Sequence, residues 1–303
     1  MSVPRYQNNP YIDMKSNLIK TSLALIFALA PAVTAVSAQI VLIDDSFTLN
    51  TTRTAGSAIN GTNPESGTFA SNPWVTPNPR PESGGGSAQN FSYVLTESGA
   101  LVDNGGNTEN RIAIAAPTKL ITLSADVKLG TADPGLNWVA IGFAKTTTSA
   151  SSLIGGVDEG QLWVGLTNAG MIKFRYQGTA SIVADVAWAG RFAAELGAYS
   201  NANTYSLSLI YDPVAETAQV SVSYGGKSVT LSDTAFDVSG KVSASDIGAV
   251  AIRTNVSNAN GSRIATIDNF RVTQIPEPGA AALSFGLPAL AIGAAIAGLK
   301  HRR

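Results

Sequence analysis

The sequence predicts an all-β protein, an antiparallel β-sandwich or barrel, flanked by two segments that read as processing signals. Three observations predict it. First, several stretches alternate apolar and polar residues with a period of two, the mark of half-buried strands. Thr122–Leu129 is the clearest: Leu123, Ala125, Val127 and Leu129 share one face, and Thr122, Ser124, Asp126 and Lys128 the other. Second, tight-turn signals separate these stretches, among them Asn168-Ala169-Gly170, Asp212-Pro213 and Gly225-Gly226. Third, between residues 39 and 275 no long helical period with caps interrupts them.

The other strands follow in order: Trp138–Phe143, Gln161–Leu166, Ile172–Tyr176, Tyr205–Tyr211, Ala218–Tyr224, Lys227–Leu231, Ile247–Arg253 and Ala265–Thr273. A run of antiparallel strands without helices implies two packed sheets or a closed one. The segment Asn50–Asn90 is rich in Gly, Pro, Asn and Ser, and reads as long loops around the sandwich or as a partly disordered stretch. Val183–Leu196 reads as a short helix or a further loop.

Composition excludes several chemistries. The chain has 303 residues, a net charge of −1, no cysteine and one histidine, His301, near its C-terminus. Near-zero charge with no basic stripe argues against a nucleic-acid partner, because displacing counterions from phosphates requires clustered cations. Without cysteine there is no disulfide, thiolate nucleophile or zinc-thiolate site. With no histidine in the body, a Ser-His-Asp triad or a multi-histidine metal site is impossible there. The 39–275 body must therefore be held by its core, which a chain of that length can bury.

The ends carry targeting signals. Met14-Lys15-Ser16-Asn17-Leu18-Ile19-Lys20 forms a positively charged start, an apolar run follows from Leu23 to about Ala30, and Val36-Ser37-Ala38 supplies small residues for cleavage between Ala38 and Gln39. Residues 1–38 thus read as a signal peptide, with Met14 as the true start, handled by the Sec translocon and signal peptidase. At the other end, Pro276-Glu277-Pro278 precedes an uncharged apolar stretch, Gly279–Leu299, and the basic Lys300-His301-Arg302-Arg303. Twenty-one residues rising ~1.5 Å each span about 31 Å as a helix, close to a bilayer's apolar thickness. The basic end would stay cytoplasmic and the body would face outward. In all three parts this tail, residues 276–303, resembles the PEP-CTERM sorting domain of bacterial surface proteins. The resemblance implies processing by exosortase, an integral-membrane protease, transient anchoring in the inner membrane of a Gram-negative bacterium, and delivery to the cell surface or to an exopolysaccharide matrix. Pro276 and Pro278 favour an extended backbone that a protease cleft can hold, and Glu277 adds a charge at the membrane surface.

The order of elements in the body resembles the concanavalin A-like (LamG-like) jelly roll. The pieces that carry the resemblance are Ile43-Asp44-Asp45-Ser46-Phe47, Val139-Ala140-Ile141-Gly142-Phe143, Gln161-Leu162-Trp163-Val164-Gly165-Leu166, Tyr205–Asp212 and Ile267-Asp268-Asn269-Phe270-Arg271-Val272. It implies that the first and last strands pair, with Phe47 and Phe270 packed inward near the closure of the domain.

Glycoside hydrolases occur on that fold, and the laminarinase-like ones are similar to one another in a Glu-x-Asp-x-x-Glu strand motif that is absent here. Asp158 and Glu159 are adjacent, so on a strand they point to opposite faces and cannot flank one glycosidic bond. The chain is therefore read as non-catalytic. A binding face is the alternative chemistry. Trp138 shares a strand face with Ala140 and Gly142, Trp163 with Gln161 and Gly165, and Lys173 with Arg175. If the three strands are neighbours, Trp138, Trp163, Lys173 and Arg175 form a glycan platform, since pyranose rings stack on aromatic planes; otherwise the tryptophans fill the core between the sheets. No cofactor is required, although Asp44, Asp45 and Asp268 would supply hard oxygen ligands for calcium if the terminal strands bring them together. The expectation is an exported, non-catalytic surface or matrix protein that binds exopolysaccharide, with a carbohydrate-active enzyme or a purely structural adhesin as alternatives.

Overall fold

Alternation along Ile121–Leu129 (β5) becomes alternation of burial: Ile121, Leu123, Ala125, Val127 and Leu129 are buried, and the residues between them are not. The computed structural model describes residues 39–77, 92–102, 107–130, 138–148, 160–177, 181–255 and 265–275. All of them belong to one compact unit, Ala38–Glu277. Ala38, Pro276, Glu277, Pro278 and the apolar stretch after them lie outside the described residues, as do Asp158 and Glu159. Among the described residues no helix is long and apolar enough to cross a membrane.

The described chain folds into a sandwich of two antiparallel sheets. Its strands are β1 (Ile40–Asp45), β2 (Val94–Leu95), β3 (Leu101–Val102), β4 (Asn107–Ala113), β5, β6 (Trp138–Ala144), β7 (Gly160–Thr167), β8 (Met171–Tyr176), β9 (Ser181–Ala187), β10 (Tyr205–Asp212), β11 (Thr217–Tyr224), β12 (Lys227–Thr230), β13 (Phe236–Asp237), β14 (Ala249–Asn255) and β15 (Ala265–Gln274). One short helix, α1 (Arg191–Leu196), follows β9. The larger sheet has the order β12-β11-β10-β5-β15-β3-β2, with β1 also on β15 and β13 on β11. The second sheet runs β4-β14-β6-β7-β8-β9.

Between the sheets, Leu123, Val127, Leu207, Leu209, Val220 and Val272 of the larger meet Val139, Ile141, Leu162, Val164, Ile172 and Ile252 of the smaller in one apolar cluster. Aromatic pairs bridge the layers, with Phe143 and Tyr211 at 6.3 Å between ring centroids and Phe174 and Phe236 at 5.3 Å. Two glycines with positive φ, Gly225 at 60° and Gly226 at 78°, close the β11–β12 hairpin, the conformation that only glycine and a few polar residues adopt without strain.

The terminal strands do pair: β1 runs antiparallel to β15 with Asp45 opposite Phe270. A bulge in β15 between Asp268 and Arg271 puts two residues, Asp268 and Asn269, between inward-facing Ile267 and Phe270 where plain alternation allows one. Asn269 takes φ 49° there, which Asn tolerates, and its Nδ2 donates to Asp126 Oδ2 at 2.8 Å. Phe47 and Phe270 are both fully buried, and Trp74, from the glycine- and proline-rich segment, lies between them at 5.9 and 5.1 Å.

That segment is pinned by a buried ion pair. Arg53 donates to both oxygens of Asp45, at 2.6 and 2.8 Å, and also to the Asn63 carbonyl. Trp74 Nε1 and the Phe47 amide donate to the same carboxylate, at 2.8 and 3.0 Å. Residues 50–77 therefore run as ordered irregular chain over the first strand. Where Val183–Leu196 reads as one helix or loop, the structure has strand β9 up to Ala187 and a helix only from Arg191. As an edge strand, β9 buries neither face fully, which blurs its alternation.

Candidate functional site

The two tryptophans settle on the outer face of the six-stranded sheet, not between the sheets. In register, Glu109, Arg253, Ala140, Gly165, Lys173 and Asp185 form one row across all six strands. Arg111, Ala251, Gly142, Trp163, Arg175 and Ile182 form the next, and Trp138 lies opposite Thr167 and Asn255 on the other side of the first row. Trp138, Trp163, Lys173 and Arg175 thus share one face, while Val139, Ile141, Leu162, Val164, Ile172 and Phe174 point to the core.

Glycines decide how the indoles lie. A Cβ on Gly142 would sit 2.5 Å from Trp163 Cβ and 2.6 Å from the Leu162 carbonyl oxygen, so the strands approach as closely as they do only with glycine there. A Cβ on Gly165 would meet the Trp163 ring at 3.3 Å, which places that ring flat along the sheet over β7. Trp138 then stacks on Trp163 with centroids 6.2 Å apart and planes 24° apart. The Arg253 guanidinium sits 5.9 Å from the Trp138 ring centre, a cation–π distance.

Beside the indoles runs a buried ionic network that the sequence did not signal. Glu109 accepts from Arg111 Nε at 2.7 Å and from Arg253 at 2.5 Å, and Arg111 also donates to the Thr146 carbonyl at 2.7 Å. Glu109 and Arg111 are fully buried. Arg175 is paired in the same way: it donates to both oxygens of Asp185 and to the carbonyls of Phe174 and Ala184. Lys173, half-buried, has no hydrogen-bond or ion-pair partner among the described residues. The face thus carries four named cations (Arg111, Arg175, Arg253 and Lys173) against two carboxylates (Glu109 and Asp185).

This geometry corrects the expected four-residue platform. Trp163 is 3% exposed and Arg175 5%, so neither offers an open surface. Trp138, Thr167, Met171 and Lys173 are half-buried, and with the exposed Ile182 and Asp185 of the β9 edge they form the accessible part of the face.

The calcium expectation fails on geometry. Asp45 is fully buried and its carboxylate already accepts the four hydrogen bonds given above. Asp44, its neighbour on the strand, takes the opposite face and lies 3.9 Å from Arg271 Nε. Asp268 accepts from the Asn269 amide at 2.8 Å. Among the described residues no group of three acidic side chains converges to hold a metal. Burial pushes the Asp268 carboxyl above the usual range against the opposing Asn269 amide, and the negative charges of Asp126, Glu65 and Asp45 push the same way.

A polar cleft of about 630 Å³ opens over the Arg53 loop, lined by Asn50, Asn60, Asn63 and Glu65 among others. Burial raises Glu65, but hydrogen bonds from Ser46 and Thr48 outweigh it and hold the carboxyl below its usual range. Those bonds brace the turn that carries Phe47 at φ 56°.

No family model and no curated protein matches the chain. Among solved structures it is similar to lectin II from Ulex europaeus, at 15% identity over 60% of this chain and 89% of that one, with a TM-score of 0.40. It is similar as well to peanut lectin with a 9mer peptide (16% identity, 67% and 97% covered, TM-score 0.41) and to winged bean acidic lectin complexed with methyl-α-D-galactose (12%, 61% and 91%, 0.42). Likeness at this level equates no residue of this chain with a residue of theirs.

Proposed function

We propose that the protein is an exported, non-catalytic surface or matrix protein that holds polysaccharide at the open edge of its tryptophan face. The observation that carries this reading is Trp138: a half-buried indole, braced from behind by Trp163 and flanked by Arg253. A pre-positioned aromatic plane loses little freedom on binding. The cation excess on the face, with Lys173 unpartnered among the described residues, favours a polysaccharide bearing carboxylates. Retention of the 39–275 fragment, which corresponds to the compact unit, on an insoluble acidic polysaccharide tests the reading. Trp138→Ala and Lys173→Glu should each lose retention while melting cooperatively, and a folded Trp138→Ala fragment retained like the wild type refutes the site.

Delivery rests on the tail. Pro276-Glu277-Pro278 before an apolar stretch and a basic end has the composition of a sorting signal. Its partners would be exosortase, after the Sec translocon and signal peptidase have acted at the other end. Replacing the three residues with alanine should trap an uncut, membrane-bound form, whereas unchanged processing of that variant removes the sorting role.

A further inference from the structure

At the end of the sandwich where β8 and β10 finish, a second cleft of about 440 Å³ is lined by Gln177, Tyr211, Glu216, Lys241 and Asp246, among others. It draws on both sheets and shares no residue with the tryptophan face. A volume of this size falls within the usual range for small-ligand sites, roughly 300–1,000 Å³.

Two independent features mark it. Gln177 and Glu216 hold left-handed backbone, at φ 46° and 51°, and such conformations concentrate where ligands are gripped. Tyr211 is the second feature. It is 1% exposed, and its ring packs against Phe143 in the core. Yet none of the described residues hydrogen-bonds its hydroxyl, although it lines the cleft. The hydroxyl itself is open to the cleft rather than buried, so it is free to donate to a ligand there. Burial, then the charges of Glu216 and Asp212, raise the Tyr211 pKa, so the hydroxyl stays a protonated donor.

The lining selects a ligand class. Glu216 and Asp246 accept hydrogen bonds and outnumber the ammonium of Lys241, which is steadied 5.6 Å from the Tyr176 ring centre and by the Asp237 carbonyl at 3.3 Å. Excess negative charge disfavours an anion. A simple amine is disfavoured too, because the Tyr211 hydroxyl, the Gln177 amide and Lys241 are donors that need acceptors. A polyhydroxylated ring satisfies both sets. We propose that this cleft is a saccharide subsite taking a neutral pyranose unit, whose vicinal hydroxyls donate to Glu216 and Asp246 while Tyr211 donates to one of its oxygens.

Titration calorimetry on the full chain tests it, with the methyl glycosides of glucose, galactose and mannose and with N-acetylglucosamine as probes, and glucuronate and glucosamine as charged comparisons. At least one neutral probe should bind more tightly than either charged sugar. Tyr211→Phe, which keeps the ring in the core, should weaken it about fivefold, the worth of one neutral hydrogen bond. Glu216→Gln should weaken it about tenfold, because a charge-assisted bond is lost. Trp138→Ala should leave it unchanged, so failure here is distinct from failure of the tryptophan face. The proposal is overturned if no neutral probe binds, if a charged sugar binds best, if both cleft variants bind like the wild type, or if Trp138→Ala abolishes binding.

Discussion

Asp45→Asn is the sharpest test of how the irregular segment is held to the sandwich. The change keeps shape and volume, but removes the charge and turns one acceptor oxygen into a donor. In the native structure that carboxylate accepts from Arg53 at 2.6 and 2.8 Å, from Trp74 Nε1 at 2.8 Å and from the Phe47 amide at 3.0 Å. Arg53 is 2% exposed, so after the substitution its guanidinium is buried facing an amide, with the Glu65 carboxylate at 3.8 Å as its remaining counter-charge. Breaking a buried pair by neutralising one partner costs about 3–5 kcal/mol, mostly the penalty of the stranded charge. For a unit of this size each kcal/mol lowers Tm by roughly 2–4 °C, which predicts a fall of about 6–20 °C. The second arm is Asp45→Asn/Arg53→Met, which strands no charge and should recover a substantial part of the loss. Urea unfolding followed by tryptophan fluorescence reads both, since Trp74 is itself bonded to Asp45. A single variant within about 0.5 kcal/mol of wild type, or a double variant no better than the single, would falsify the claim that this pair anchors residues 50–77.

Gly142→Ala should destabilise by about 1–3 kcal/mol in the same assay, because its Cβ would overlap Trp163 Cβ and the Leu162 carbonyl; Gly165→Ala, with contacts of 3.2 Å and longer, should cost less. Asp268→Asn should raise stability at neutral pH. The folded state raises this carboxyl above the ordinary aspartate value of 3.8, so it holds its proton better than the unfolded chain does, and stability declines as pH climbs through the interval between the two values. The variant's advantage should therefore vanish below about pH 3.8 in a series of melting curves, and an advantage that persists there contradicts the assignment. A chelator should leave Tm unchanged, because Asp45 is committed to Arg53 and Trp74; a drop of several degrees would restore a metal site.

Much of the framework was legible because it obeys a local rule. The strict alternation of β5, β10 and β11 gave their extents and inward faces, and Gly225-Gly226 marked a hairpin because both turn positions take positive φ. Strand β4 was not legible. Thr108-Glu109-Asn110-Arg111 is an unbroken polar run with no alternation, yet all four residues are fully buried, since Glu109 and Arg111 answer each other and Arg253, 144 positions away from Glu109. Local pattern cannot announce a partner that distant. Strand β9 was missed because an edge strand buries too little for its alternation to show.

The candidate site divides along the same line. A period of two places Trp138 with Ala140 and Trp163 with Gly165, whatever the fold. Which side of the sheet those faces occupy is a separate matter, because both faces of the six-stranded sheet are largely apolar along β6 and β7. Only the packing of Val139, Ile141, Leu162 and Val164 against the opposite sheet sends the indoles outward. By itself, then, the sequence determined strand periodicity, turn chemistry and the absence of thiol and histidine catalysis in the body. Tertiary structure alone decided that Asp45 serves Arg53 rather than a cation, that Trp163 is covered while Trp138 is not, and that Tyr211 reaches a cleft with its hydroxyl unanswered. Each of those outcomes depends on a neighbour brought close by folding, and burial and charge pairing are properties of neighbours in space, not of order along the chain.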